Sequence, residues 1–226
     1  MADETTSYSQ AYLNESRQPM LISIAILFMA ASTTIVILRF VSRRIGEVGL
    51  HREDIFILLG WAFYMAFIGV AIGDVKYGGV GLHQARVVAI DPHMMVNWAK
   101  FLLAIVFIYS LSVIWPKFAI LSLYISLFSI HRVSRIICYA TGILIATNAA
   151  ANVAAGFAIC RPLDALWTGD IAEHCFNINA FFRYSRIVNI ISDVAMLILP
   201  IPHIVRLQSR TRLKIGLVIT FLSGSL

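Results

Sequence analysis

The sequence predicts an all-α protein, a polytopic transmembrane helix bundle with five full spans and part of a sixth. Two observations carry that prediction. Hydrophobic residues make up 59% of the chain against 13% charged, and mean hydropathy is +0.82, far from the balance of a water-soluble domain. The apolar residues also fall into long runs separated by short polar loops, and the Lys/Arg content of those loops alternates along the chain. A helix rising about 1.5 Å per residue needs roughly 20 apolar residues to cross a hydrocarbon core of about 30 Å.

Residues 1–19 form a short polar tail with no cationic start leading into a cleavable apolar segment, so the first span reads as an anchor and not as a signal peptide. Residues 20–226 form the bundle. The runs Met20–Val41, Ile55–Val75, Trp98–Phe128, Ile136–Ile159 and Phe176–Val205 meet the length test, and Ile215–Leu226 is the start of a sixth. Pro116, Pro200 and Pro202 are expected to kink or end their helices.

Orientation follows from the cations. Arg43, Arg44 and Arg52 follow the first span, Arg132 and Arg135 the third, and Arg206, Arg210, Arg212 and Lys214 the fifth. The opposite junctions hold only Arg17, then Lys76 and Arg86, then Arg161. Loops rich in Lys/Arg stay cytoplasmic, which puts the N-terminal tail outside the cell. Asn14, in Asn14-Glu15-Ser16, then lies on the side where such triplets accept glycans. A formal charge of +6 in a soluble protein would suggest nucleic acid. Here the basic residues sit at span ends, so the expected partner is the lipid bilayer, and no nucleic-acid partner is expected.

Of the three cysteines, Cys138 falls inside the fourth span as an apolar filler. Cys160 and Cys175 bound a short loop on the oxidising side, where disulfides persist. The spacing admits a bridge. Its job would be to hold Trp167, Asp170 and Glu173 over the extracellular mouth.

The fifth span carries the densest chemistry. Asn179, Arg183, Arg186, Asn189 and Asp193 are spaced four, three, three and four, one face of an α-helix. Ionisable groups at membrane depth are costly and turn to a protein interior or a wet cavity. Arg183 and Arg186 lie near the outer end, where snorkelling to the interface is the alternative. Asp193 is deeper. Lys117 in the third span is 14 residues before His131, and Asp193 is 13 before Arg206, so both lie roughly 20 Å from their cytoplasmic ends. The expected core is a polar cluster of Lys117, Arg183, Arg186, Asn189 and Asp193. Asn148 and Asn152 on the fourth span join it as interhelical hydrogen-bonding groups.

Other patterns point to less. Gly78-Gly79-Val80-Gly81-Leu82-His83 lacks the Gly-Lys-Ser/Thr of a phosphate loop and reads as a glycine-rich turn. Six histidines are scattered without metal-ligand spacing, so no metal or other cofactor is expected. Gly73-Asp74 is half of an intramembrane aspartyl protease pattern, but Asp74 lies near the outer end of its span while Asp193 is mid-membrane. No catalytic residues are assigned, and the chain is not expected to be an enzyme.

These residues also resemble a known family. Trp115-Pro116-Lys117 with Tyr124, Phe128 and Arg132, the loop pattern Cys160-Arg161-Pro162-Leu163 with Trp167 and Cys175, and Asn189 to Asp193 with Leu199-Pro200-Ile201-Pro202 are similar to motifs of the fungal rhodopsin-domain integral membrane proteins. That group includes GPCR-like receptors linked to pathogenicity. Lys214-Ile215-Gly216-Leu217, Gly81-Leu82-His83 and Glu53-Asp54 resemble further positions, the last usually a double Asp. The resemblance implies a seven-helix type of bundle with its N-terminus outside, in the plasma membrane. The sequence ends at Leu226 inside the sixth span, truncated relative to that pattern, so no seventh-span retinal lysine is present and no photochemistry is expected.

Three function classes follow. The first is a GPCR-like sensor or receptor, with a small extracellular ligand entering under the Cys160–Cys175 loop and a cytoplasmic signalling protein as partner. The second is a small-solute transporter or channel using the polar stripe. The third is a truncated, non-signalling membrane protein.

Overall fold

The structure, a computed structural model, describes residues 15–47, 49–83, 86–87, 91, 93–127, 132–168, 175 and 178–198. Its helices are α1 (Gln18–Ile45), α2 (Arg52–Tyr77), α3 (His93–Leu127), α4 (Arg132–Phe157), the single turn α5 (Ala165–Thr168) and α6 (Ile178–Ile198). Among the described residues the only β-type pairing is an isolated bridge between Cys160 and Cys175.

Four segments are long and apolar enough to cross a membrane: Gln18–Ile45, Arg52–Tyr77, His93–Ser126 and Arg135–Phe157, with mean hydropathies of 2.5, 2.4, 1.9 and 1.5. The fifth expected span differs. Its described part, α6, is 21 residues long and carries Arg183, Arg186 and Asp193, which set it apart from the other four. Helix α1 starts at Gln18, two residues inside the expected tail. Asn14, the Ile215–Leu226 segment, Pro200 and Pro202 lie outside the described residues.

The helices run up and down. At one end Gln18 of α1 donates from Nε2 to the Val75 carbonyl of α2 at 2.6 Å, and Arg17 N–H bonds the Gly81 carbonyl at 2.9 Å. At the other end Arg39 and Arg43 meet Glu53 and Asp54. Those two helices are therefore antiparallel. Between α2 and α3, Phe67 faces Tyr109 while Phe56 faces Trp115, again antiparallel. Phe107 meets Phe157 across α3 and α4. By contrast Lys117 reaches Asp193 and Tyr124 reaches the Met196 carbonyl, so α6 runs parallel to α3.

The most extensive contact is between α2 and α3. Gly60 makes it close: a Cβ there would lie 3.0 Å from Pro116 Cδ and 3.3 Å from Trp115 Cβ. Pro116 was expected to kink or end its helix; it does not end it, since α3 continues through Pro116 over its 35 residues. Its ring fits the hollow over Gly60, and a proline that costs one backbone bond is tolerated where a neighbouring helix packs against it. The glycine-rich turn after α2 needs glycine at two places, Gly79 with φ 75° and Gly81 with φ 89°.

Two apolar clusters hold the helices. Leu121, Tyr124, Cys138, Ile145 and Met196 join α3, α4 and α6. Ala99, Ile159, Cys160, Ala165 and Leu166 join the start of α3 to the segment after α4. Cys138 is a free, buried thiol in the first cluster. Among the described residues helix α1 buries none of its own, and Leu27, Ile35, Ile37 and Leu38 project outward from it as an apolar surface.

Candidate functional site: a lysine clamp beside a cavity

Lys117 is the centre of the site. Its side chain is 8% exposed, and its three N–H donors meet three oxygens of α6: Asn189 Oδ1 at 2.6 Å, Ser192 Oγ at 2.8 Å and Asp193 Oδ1 at 2.8 Å. Ser192 in turn donates to the Asn189 carbonyl at 2.6 Å. An ammonium ion has three donors and no acceptor, so this set satisfies it fully. The carboxylate supplies the opposite charge that a cation at this depth requires. A second tie joins α4 to α6, where Ser185 Oγ donates to Asn152 Oδ1 at 2.7 Å.

Beside these ties lies a cavity of about 530 Å³ between α3, α4 and α6. Leu, Ile and Val supply eight of its eighteen lining residues, from Leu102 to Ile114 on α3, Leu144 and Ile145 on α4 and Val188 on α6. Polar groups enter from Tyr109, Ser110, Asn148, Asn152, Arg186 and Asn189, and Lys117 closes one end. The size is that of small-molecule sites, and the lining divides evenly between apolar residues and residues that carry a polar group.

The disulfide end of the molecule borders the other end of the cavity. Cys160 and Cys175 are bonded, with Cα atoms 4.0 Å apart. Leu163 and Trp167 of the bridged segment pack against the cluster that holds Ala99, as does Leu103, one residue from the Leu102 wall position. Lys100 Nζ stands 5.6 Å from the Trp167 ring centroid, a cation–π contact. Asp170 and Glu173 lie outside the described residues.

The polar stripe divides as follows. Asn189 and Asp193 meet Lys117, Arg186 lines the cavity, Arg183 is exposed, and the side chain of Asn179 is outside the described set. Asn148 lines the cavity one turn from Asn152. Sequence reasoning passed over Ser185 and Ser192, although their spacing of four before and three after Asn189 places them on the same helical face. It also took Arg43 as a topology signal alone. Arg43 in fact reaches Glu53 at 3.3 Å and Asp54 at 2.9 Å, and Arg39 reaches Asp54 at 3.2 Å. Arg39 and Arg43 at i and i+4 share a face. Asp54 also caps α2 by accepting from the His51 backbone N–H at 3.0 Å.

The fold and site together define a polytopic helical membrane protein with a cavity and a charged tie between its helices. The chain belongs to the fungal rhodopsin domain family, which matches it over residues 38–226. It is 31% identical over 205 residues to the polyenoic acids biosynthesis gene cluster protein Ba17b of Metarhizium anisopliae, covering 88% of this chain and 56% of that protein. It is also 31% identical over 169 residues to a SAT4 family membrane protein of Emericella nidulans, covering 73% of this chain and 42% of that protein. The chain thus spans about half the length of the curated relatives it matches. No solved structure matches it.

Proposed function

We propose that the chain forms the ligand-binding part of a GPCR-like membrane sensor of seven-helix type, in the plasma membrane with its N-terminus outside. A small extracellular ligand enters beneath the Cys160–Cys175 segment and occupies the α3–α4–α6 cavity, and a cytoplasmic signalling protein reads the response. The observation that carries this reading is the cavity itself, walled by three helices and bordered by the single charged tie that joins α3 to α6 among the described residues. A ligand in such a place contacts all three helices and biases their relative position, which is the requirement for a switch. Lys117, the lysine on the cavity wall, is engaged by three oxygens, which favours a structural tie over a covalent chromophore site.

The test uses the protein in lipid nanodiscs and in sealed vesicles. Distance probes on Ser126 of α3 and Ile198 of α6 report the far ends of the two helices. The sensor reading expects their separation to change when an extract of candidate extracellular small molecules is added, with no solute flux across the vesicles. Flux of small solutes without any such change would replace the sensor by a transporter or channel.

A further inference from the structure

Arg186 is the cavity cation that the lysine clamp does not absorb. Lys117 is matched by Asp193, whereas Arg186 lines the cavity with no carboxylate in ion-pair distance among the described residues. The local charge of the wall is therefore one excess positive. The same cavity is lined by Leu102, Ile105, Val106 and Val113 of α3. The guanidinium lies eight residues into α6, about 12 Å from its start, and is exposed at the cavity's edge; at membrane depth a cation turns to water or to an anion. Its planar fork of N–H donors matches a carboxylate in two parallel bonds. Asn148 on the same wall offers a further donor, since its neighbour one turn on, Asn152, is the one tied to Ser185.

Shape adds to charge. The lining on α3 runs from Leu102 to Lys117, a rise of about 22 Å. A channel that long with a volume of about 530 Å³ is narrow, suited to one extended aliphatic chain and too small for a diacyl lipid. We propose that the cavity binds a single-chain amphipathic acid, with its carboxylate on Arg186 and its aliphatic chain along the α3–α4 wall. This deepens the sensor reading and rests on the same cavity being its ligand site.

The experiment is photo-crosslinking in nanodiscs with mass-spectrometric mapping. Three probes are compared: dodecanoate with a terminal diazirine, the matching neutral primary amide, and a diazirine-bearing phosphatidylserine. The acid is expected to label Leu102 or Val106, and the amide to label them about tenfold less or weaker still. A hydrogen bond to a charged group is worth about 1.5–3 kcal/mol, and each 1.4 kcal/mol is tenfold. Arg186→Gln should remove the preference for the acid and Arg186→Lys should keep most of it; Arg186 is exposed, so both variants should fold, which circular dichroism checks. Equal labelling by acid and amide, or an acid preference untouched by Arg186→Gln, overturns the proposal. Labelling of the cavity by phosphatidylserine alone overturns it in favour of a bilayer headgroup. Arg186-dependent labelling by the acid with no helix movement upholds the acid site while removing the sensor reading.

Discussion

Replacing Lys117 by methionine keeps a long, flexible side chain in place and removes only the ammonium. Asp193, Asn189 and Ser192 then lose the donor they share, and the Asp193 carboxylate, 27% exposed, is left without its counter-charge. Replacing Asp193 by leucine does the reverse: Lys117, 8% exposed, keeps two neutral oxygens but no anion. Removing one partner of a buried pair costs about 3–5 kcal/mol. The more exposed carboxylate recovers some hydration, so Lys117→Met belongs at the lower end of that range and Asp193→Leu at the upper. The double variant leaves no unpaired charge and should regain about 2 kcal/mol over the sum of the singles, within the range for residues in contact. Reversible unfolding in mixed micelles titrated with dodecyl sulfate gives the four free energies. A coupling below about 0.5 kcal/mol, the level of an ordinary interhelical hydrogen bond in a membrane, would refute the claim that the charges depend on each other.

Three more outcomes are expected. Peptides containing Cys160 and Cys175 should be found linked by mass spectrometry without reduction while Cys138 stays unlinked, and Cys160→Ser should lower stability by about 3 kcal/mol for a loop of 15 residues; unlinked peptides would refute the bridge. Cysteine at exposed Asp164 should react with an impermeant thiol reagent on intact cells and cysteine at exposed Gly46 should not, and the opposite result reverses the orientation. Gly60→Val should cost about 1–3 kcal/mol by pushing α2 off Pro116 and Trp115, read as a fall in thermal midpoint in detergent, whereas an unchanged midpoint would mean that the two helices separate freely there.

The helices α1 to α4 were legible because a bilayer imposes a length and an apolarity that the chain must satisfy within one continuous segment. Helix α6 was harder to read by that rule, since its charged residues answer to neighbouring helices and not to lipid. Depth counting nevertheless put Lys117 and Asp193 at one level, and 3.6-residue periodicity put Asn189 and Asp193 on one face. What stayed hidden is which of two chemically similar residues takes which partner. Arg183 and Arg186 are three apart on one stripe and both are exposed, yet only Arg186 lines the cavity. The two serines escaped because a hydroxyl in a membrane helix is ordinarily content with its own carbonyl four residues back, as Ser110 is with Val106 at 2.8 Å. A neighbouring helix decides whether such a group also meets a partner, as Ser192 accepts from Lys117 while still donating to the Asn189 carbonyl. The continuation of α3 past Pro116 was likewise unreadable, because the proline packs on Gly60 in another helix.

Helix α1 is held like a strap fastened at both ends. It buries none of its residues, and apolar contact between helices gains nothing over contact with lipid tails. Its hold on α2 therefore rests on Arg17 and Gln18 at one end, Arg39 and Arg43 at the other, and a single bond near the middle from Trp61 Nε1 to Thr33 Oγ1 at 3.3 Å. With 28 residues it is about 42 Å long, well beyond a hydrocarbon core of about 30 Å. A free helix of that length would tilt by itself to fit a thin bilayer. Fastened at both ends, α1 can tilt only together with α2, so a change in membrane thickness is delivered as load on Gln18 and Val75 at one surface and on Arg43 and Asp54 at the other.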